Sequence, residues 1–151
     1  MQGLCTISFA VEPLSHDESV RSIVPVVNGV HLTTLAAEFE RTQHYDDPSG
    51  GYAGLVPEYF KFGPLDRYFM GARVDSFFTG RRYYLLGCEC GEVGCWPLEA
   101  CILLSEQQVS WEDFAQPFRP GRDYSTFGPF RFDLEQYRKA VFQLASMFPR
   151  E

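Results

Sequence analysis

The spacing of apolar residues changes along this chain, and that change limits the class of fold it can adopt. Short segments rich in β-branched and aromatic residues come first and recur in the middle, whereas two other segments carry apolar residues at helical spacing. Segregated strands and helices of this kind are typical of an α+β fold. We therefore expect a curved antiparallel sheet of about five or six strands, with two amphipathic helices covering one of its faces.

The predicted strands fall into an early pair and a later meander. The early pair ends at the Asn28-Gly29 dipeptide, a strong signal for a tight turn. In the meander, residues 106–108 form the turn between the second and third strands. The segments predicted to be strands are Cys5–Val11, Ile23–Val27, Tyr83–Cys88, Cys101–Ser105 and Val109–Trp111.

Two helices follow from the same pattern. Over Thr33–Arg41 the apolar residues repeat at helical spacing, which places Glu38 and Glu40 on the solvent side together with the final arginine. Near the end of the chain, Asp133 and Gln136 form a capping-box pattern ahead of an amphipathic segment of about four turns. Both helices are predicted to pack on the sheet.

The stretch 44–80 has no sustained period and is rich in proline, glycine and aromatic residues. Such a stretch is typical of a functional loop or of several short elements. Proline and glycine are spread through the chain and form no separate linker, so we expect one domain over residues 1–151.

Composition and charge favour some classes of partner over others. The chain has 151 residues and a formal charge of -7, and Lys61 and Lys139 are its only lysines. Nucleic-acid binding depends on clustered basic residues, so we expect no nucleic-acid partner. We expect no membrane partner either, since no run of about 18 apolar residues and no secretory leader is present. Five cysteines, an odd number, favour a reducing compartment, and we therefore expect a cytoplasmic protein.

A turn rich in cysteine and glycine, residues 87–98, is the segment that most resembles a chemical site. It holds Cys88, Cys90 and Cys95 within eight residues. Thiolates are the preferred ligands of structural zinc, which takes four ligands in a tetrahedral arrangement. These three cysteines could supply three of them, with Cys101 or His44 as the fourth ligand and His31 as a further candidate. Zinc is the one cofactor that the sequence suggests.

Two other interpretations of this turn stay open. Structural zinc sites normally use a C-x-x-C spacing, whereas Cys88 and Cys90 are separated by one residue. Cys90 and Cys95 could instead face each other as a redox pair, although Glu89 and Glu92 nearby disfavour a thiolate. The cysteines could equally be small buried apolar residues in a glycine-rich hairpin.

A segment that mixes aromatic residues with arginine, residues 111–133, is the candidate surface for a protein partner. Rigid rings and planar guanidinium groups contribute most of the free energy at many interfaces. The same composition also suits an ordinary loop that phenylalanines hold against the core. The candidate partner-binding residues are Trp111, Phe114, Phe118, Arg119, Arg122 and Tyr124.

Three runs together resemble a group of short bacterial proteins of unknown function. They are GCECGEVGCWPL at Gly87–Leu98, WEDFAQPF at Trp111–Phe118 and RDYSTFGPFRFD at Arg122–Asp133. The resemblance covers most of the chain from the Asn28-Gly29 turn onward. It implies a bacterial, cytoplasmic protein, and it transfers no activity, cofactor or catalytic residue.

The sequence leaves three hypotheses for function. The first is a binding or accessory protein whose cysteine turn is structural and whose aromatic and arginine residues contact a protein partner. The second is a thiol-dependent or metal-dependent enzyme centred on the cysteine turn. The third is an immunity or antitoxin protein that neutralises a basic toxin through its negative charge. We assign no catalytic residue.

Overall fold

The fold contains two antiparallel sheets and three helices, seen in a computed structural model that describes residues 4–14, 17–45, 50–58, 65–71, 82–88 and 97–148. The strands are β1 (Ile7–Leu14), β2 (Asp17–Val27), β3 (Val30–His31), β4 (Tyr52–Ala53), β5 (Arg82–Cys88), β6 (Leu98–Leu104), β7 (Gln108–Ala115) and β8 (Phe130–Asp133). The helices are α1 (Leu32–Thr42), α2 (Leu65–Tyr68) and α3 (Leu134–Ser146).

The larger sheet confirms the predicted α+β class. It has five strands in the order β4-β5-β6-β7-β8, each antiparallel to its neighbour. The strand β5 is buried from Tyr83 to Cys88, as expected of a central strand covered on both faces. The sheet curls into a half-barrel, and register shifts in β5 and β6 accompany the curl.

The smaller sheet has the order β1-β2-β3 and meets the larger one at both edges. At one edge Cys5 forms a parallel bridge with Phe132 in β8. At the other, Ile23 in β2 and Leu55, just after β4, exchange two backbone hydrogen bonds of 2.8 and 2.9 Å. The two sheets therefore enclose a common core.

The core is aromatic at its centre. Trp111 is fully buried, packs edge-on against Phe132 at 5.1 Å between ring centroids, and donates from Nε1 to the Tyr137 hydroxyl at 3.1 Å. That hydroxyl in turn donates to the carbonyl of Phe69 at 2.6 Å. The polar atoms of these two buried rings are thus satisfied, as a buried tryptophan and tyrosine require.

Helix α3 begins as the sequence predicts. The Asp133 side chain accepts a hydrogen bond of 3.0 Å from the backbone N–H of Gln136. The Gln136 side chain then pairs with both backbone groups of Ile7, at 2.9 and 2.7 Å. The amide of Gln136 thereby makes the two hydrogen bonds that a neighbouring strand would otherwise make with Ile7, on the edge of β1 that faces away from β2. Helix α3 packs beside this edge.

The structure extends the predicted elements and adds others. The first two strands run further than expected, to Leu14 and from Asp17. The short strands β3, β4 and β8 and the one-turn helix α2 were not predicted. Within the described ranges, none of the helices has the length and apolar character needed to cross a lipid bilayer.

Candidate functional site

Helix α1 carries a carboxylate into the interior. Glu40 is 0% exposed, although the sequence pattern placed it on the solvent side, so that prediction is wrong. It continues the i, i+4 spacing of the buried residues Leu32 and Ala36 along the helix. This spacing is the sequence signal that could have identified it.

Three hydrogen-bond donors and one guanidinium converge on the two carboxylate oxygens of Glu40. Oε1 accepts 2.7 Å from the backbone N–H of Gly50 and lies 3.6 Å from Nη1 of Arg122. Oε2 accepts from the hydroxyl of Tyr52 at 2.5 Å and from the hydroxyl of Tyr124 at 2.6 Å. The charge is therefore compensated by hydrogen bonds and by a guanidinium that is itself 10% exposed.

Gly50 allows the backbone just before Tyr52 to approach helix α1 closely. Gly50 has φ of +77°, and a Cβ at this position would lie 3.0 Å from the Cβ of Ala37. A glycine satisfies both the left-handed conformation and the close approach. This close approach brings the backbone N–H of Gly50 within hydrogen-bond distance of Glu40, which accepts from it.

The same carboxylate anchors both ends of residues 116–124, which we call the Phe118 loop. At the first end, the amide of buried Gln116 donates to the hydroxyl of Tyr52, which bonds Glu40. At the second end, Arg122 and Tyr124 contact Glu40 directly. The loop thus rises from the core and returns to it at one buried group.

The candidate partner-binding residues separate into two sets in the structure. The side chains of Trp111, Phe114 and Tyr124 lie in the hydrophobic core at 0%, 4% and 3% exposure, so they offer no surface to a partner. They were candidates for partner contact because composition alone does not show whether an aromatic ring is buried. Phe118 is 54% exposed at the tip of the loop. Arg119 is half-buried.

Two backbone turns shape the tip of the Phe118 loop. The N–H of Arg119 donates to the carbonyl of Gln116 at 3.0 Å, and the N–H of Arg122 donates to the carbonyl of Arg119 at 3.1 Å. Next to the loop, the hydroxyl of Tyr45 accepts from the N–H of Asp123 at 2.8 Å. These bonds give the loop a defined shape while Phe118 stays accessible.

Glu40 and the residues that contact its carboxylate, which we call the Glu40 cluster, have a structural role and do not serve proton transfer. The other members are Gly50, Tyr52, Arg122 and Tyr124. Both oxygens already accept hydrogen bonds, and no part of the side chain is open to solvent or to a substrate. Burial, and then the hydrogen bond to Glu40, raise the pKa of Tyr124 to about 12. Burial, followed by the charge of Glu40, also raises the pKa of Tyr52 well above its usual range. Both hydroxyls stay protonated and act as donors.

The predicted zinc site falls mostly outside the described residues. Cys88 is buried at the end of β5, whereas Cys90 and Cys95 lie beyond the described ranges. Cys101 pairs with Arg82, at the opposite end of β5. Six residues of strand separate it from the level of Cys88, about 20 Å, so Cys101 cannot share an ion with Cys88.

The two histidine candidates have other surroundings. Nε2 of His31 lies 2.7 Å from a carboxylate oxygen of Glu12, and His44 is exposed just after α1. In the part of the chain that the structure describes, no three His, Cys, Asp or Glu side chains could hold a metal ion. Zinc binding at the cysteine turn stays a prediction.

Cys101 belongs instead to an ion-pair cluster that joins three strands. Arg82 donates from Nε to Glu99 at 2.5 Å and from Nη1 to the carboxylate of Asp113 at 2.9 Å. Its Nη1 also lies 3.5 Å from the sulfur of Cys101. The cluster links β5, β6 and β7, which favours a structural role for this cysteine.

An open groove lies between α1 and residues 50–52. Its volume is about 260 Å³. It is lined by Thr33, Thr34, Ala37, Arg41, Gly50, Gly51 and Tyr52. Among the described residues that line the groove, none is a cysteine, a histidine or a carboxylate, so this lining supplies neither a thiol nucleophile nor an imidazole or carboxylate general base.

Comparison with known proteins adds no family to this geometry. The chain matches no family model, and the searches of curated proteins and of solved structures find no match either. The site must therefore be interpreted from its own residues.

The buried tyrosines predict a loss of stability in alkali. Burial raises the pKa of Tyr68, Tyr137 and Tyr124 above the unfolded value of about 10. Above pH 10 the unfolded chain releases these protons while the folded chain retains them, so each such tyrosine should lower the unfolding free energy by about 1 kcal/mol per pH unit. Urea unfolding at pH 8 and pH 11 measures this loss.

A matched variant isolates one of these tyrosines. In Tyr124→Phe the loss between pH 10 and pH 11 should be smaller by about 1 kcal/mol than in the unmodified chain. An equal loss in both proteins would show that Tyr124 does not titrate above its unfolded value.

Proposed function

We propose that this chain is a non-enzymatic binding or accessory protein that contacts a protein partner through the Phe118 loop. One observation carries the proposal: Phe118 is 54% exposed on a loop whose two ends are anchored to the same buried carboxylate. Glu40, Tyr52 and Tyr124 are used for this anchoring, while the aromatic side chain of Phe118 is presented to solvent.

The physical basis is the entropy of binding. A loop that must become ordered when a partner binds loses part of the free energy gained from its contacts. The Phe118 loop is already ordered by two turns and by the bonds of Gln116 and Tyr124 to the cluster. Less of the contact free energy of the ring would therefore be lost to ordering the loop.

The chemistry of the loop indicates the kind of partner. Phe118 follows Pro117 and precedes the half-buried Arg119, so the group that the tip presents is a rigid apolar ring. Such a tip suits an apolar pocket with polar groups at its rim. The net charge of -7 would favour rapid association with a basic partner.

Phe142 provides a useful contrast. It is 71% exposed on the outer face of α3, where Arg138 and Lys139 occupy the preceding turn. A single exposed aromatic side chain on a helix is common and needs no functional explanation. Phe142 is more exposed than Phe118 but lies on a helix and not on an anchored loop, so it is a matched control for Phe118.

The cysteine turn has a structural role in this proposal, and the protein acts in the cytoplasm. Cys5 and Cys101 form no disulfide, which supports a reducing compartment. Zinc at Cys88, Cys90 and Cys95 would add to the stability of the fold. Elemental analysis of protein purified without chelator would detect it.

Site-specific photocross-linking tests the proposal. A benzophenone amino acid is placed at position 118 in one protein and at position 142 in another, and each is irradiated in the cells that produce the native chain. We expect one discrete adduct from position 118 and none of that mass from position 142. The same adduct from both positions, or none from position 118, would contradict a partner surface at the loop.

A further inference from the structure

Glu40 holds the Phe118 loop in the shape that a partner would meet, although it lies beneath the loop and touches no partner. We infer that it is the positioning residue of the loop, an inference that rests on the proposed function. Its carboxylate is 0% exposed, so it can influence binding only through the residues bonded to it. The structure offers two such routes, one at each end of the loop.

The first route is indirect. Gln116 is 2% exposed and donates to the hydroxyl of Tyr52, which donates to Oε2 of Glu40. Because this hydroxyl gives its proton to Glu40, it can accept from the amide of Gln116. Loss of the carboxylate would therefore leave the Tyr52 hydroxyl without its acceptor and loosen the start of the loop.

The second route is direct and combines charge with hydrogen bonding. Arg122 lies 3.6 Å from Oε1, and its guanidinium also stacks over the ring of Tyr45 at 5.3 Å from the centroid. Tyr124 donates to Oε2 at 2.6 Å. The end of the loop is thus attached by a cation and by a hydroxyl that both depend on the same carboxylate.

Both routes end at Glu40, so the loop should loosen as a unit when the carboxylate is neutralised. The rest of the core does not depend on it in the same way, because Trp111 and Tyr137 bond each other and Phe69. Local opening of this kind can occur without global unfolding. The inference therefore predicts a change in the loop that exceeds any change in the sheet.

Amide hydrogen exchange of the full chain, followed by NMR, tests this prediction. The reporters are the N–H groups of Arg119, Arg122 and Asp123, each of which has a hydrogen-bond acceptor in the loop or in Tyr45. In Glu40→Gln we expect these amides to exchange roughly tenfold faster, or more, relative to the amides of β6 and β7. The matched control is Val141→Ala, which weakens the core at a residue that is 1% exposed and outside the cluster.

The outcomes are distinct. A rise in the sheet amides of Glu40→Gln that equals or exceeds the rise in the loop amides, the pattern expected for Val141→Ala, would reduce Glu40 to a residue of general stability and overturn the inference. If Glu40→Gln does not fold, Tyr124→Phe removes one donor and keeps the ring, and the same comparison applies. Failure of the photocross-linking experiment would instead contradict the proposed function, while the exchange result would stand by itself.

Discussion

Replacing Glu40 by alanine should lower the free energy of unfolding by about 3–5 kcal/mol, the range found when one partner of a buried ion pair is removed. The substitution leaves Arg122 with 10% exposure and without its carboxylate, and it deprives the hydroxyls of Tyr52 and Tyr124 of their acceptor. Each buried donor left without a partner is destabilising. Chemical denaturation followed by tryptophan fluorescence measures the effect.

Glu38 is the control for this prediction. It is an exposed glutamate two residues away on the same helix, so Glu38→Ala matches the change in charge and in helix propensity. We expect Glu38→Ala to change stability by less than about 0.5 kcal/mol. Similar effects of the two substitutions would show that the bonds of Glu40 contribute little to the fold.

Replacing Gly54 by alanine should destabilise the fold by about 3 kcal/mol through steric overlap. A Cβ at this position would lie 2.1 Å from the carbonyl oxygen of Ile23, and the contacting atoms are backbone. Relief of the overlap requires Ile23 and Leu55 to separate, which breaks the two hydrogen bonds that join the sheets. The midpoint of thermal unfolding should fall accordingly.

Gly121 tests whether this effect is specific to the site. A Cβ at Gly121 would meet no atom within 4 Å, so Gly121→Ala should be close to neutral. If Gly54→Ala unfolded at the same temperature as Gly121→Ala, the close contact between the two sheets would be wrong.

The elements with a clear sequence pattern were predicted correctly in type. Helix α3 has a cap and an apolar face that repeats, and both appear in the structure. The Asn28-Gly29 turn lies between β2 and β3 with both residues at positive φ. Local conformational preference and hydrophobic spacing are sufficient to predict such features.

The short elements could not be predicted in this way. Strand β4 has two residues and exists because Tyr52 and Ala53 pair with the end of β5. Helix α2 is a single turn whose Leu65 and Tyr68 are buried in the core. Elements of this length are determined by tertiary contacts, and their sequence carries no period long enough to recognise.

The candidate site illustrates the same limit. Its exposed residue, Phe118, was among those that the sequence predicted, but its anchor, Glu40, was assigned to the solvent side of α1. A buried carboxylate is identified by the donors around it, and these come from Gly50, Tyr52 and Tyr124, which are distant along the chain. Composition alone also could not separate Phe118 from the buried Phe114.

The central claim, that Phe118 is the group through which this protein binds a partner, is tested most directly by titration of the purified cross-linked partner. Phe118→Ala should raise the Kd roughly 30-fold, about 2 kcal/mol, as expected for an aromatic anchor. The control Phe142→Ala should leave it within roughly twofold. An unchanged Kd for Phe118→Ala, or equal losses in both variants, would contradict the account.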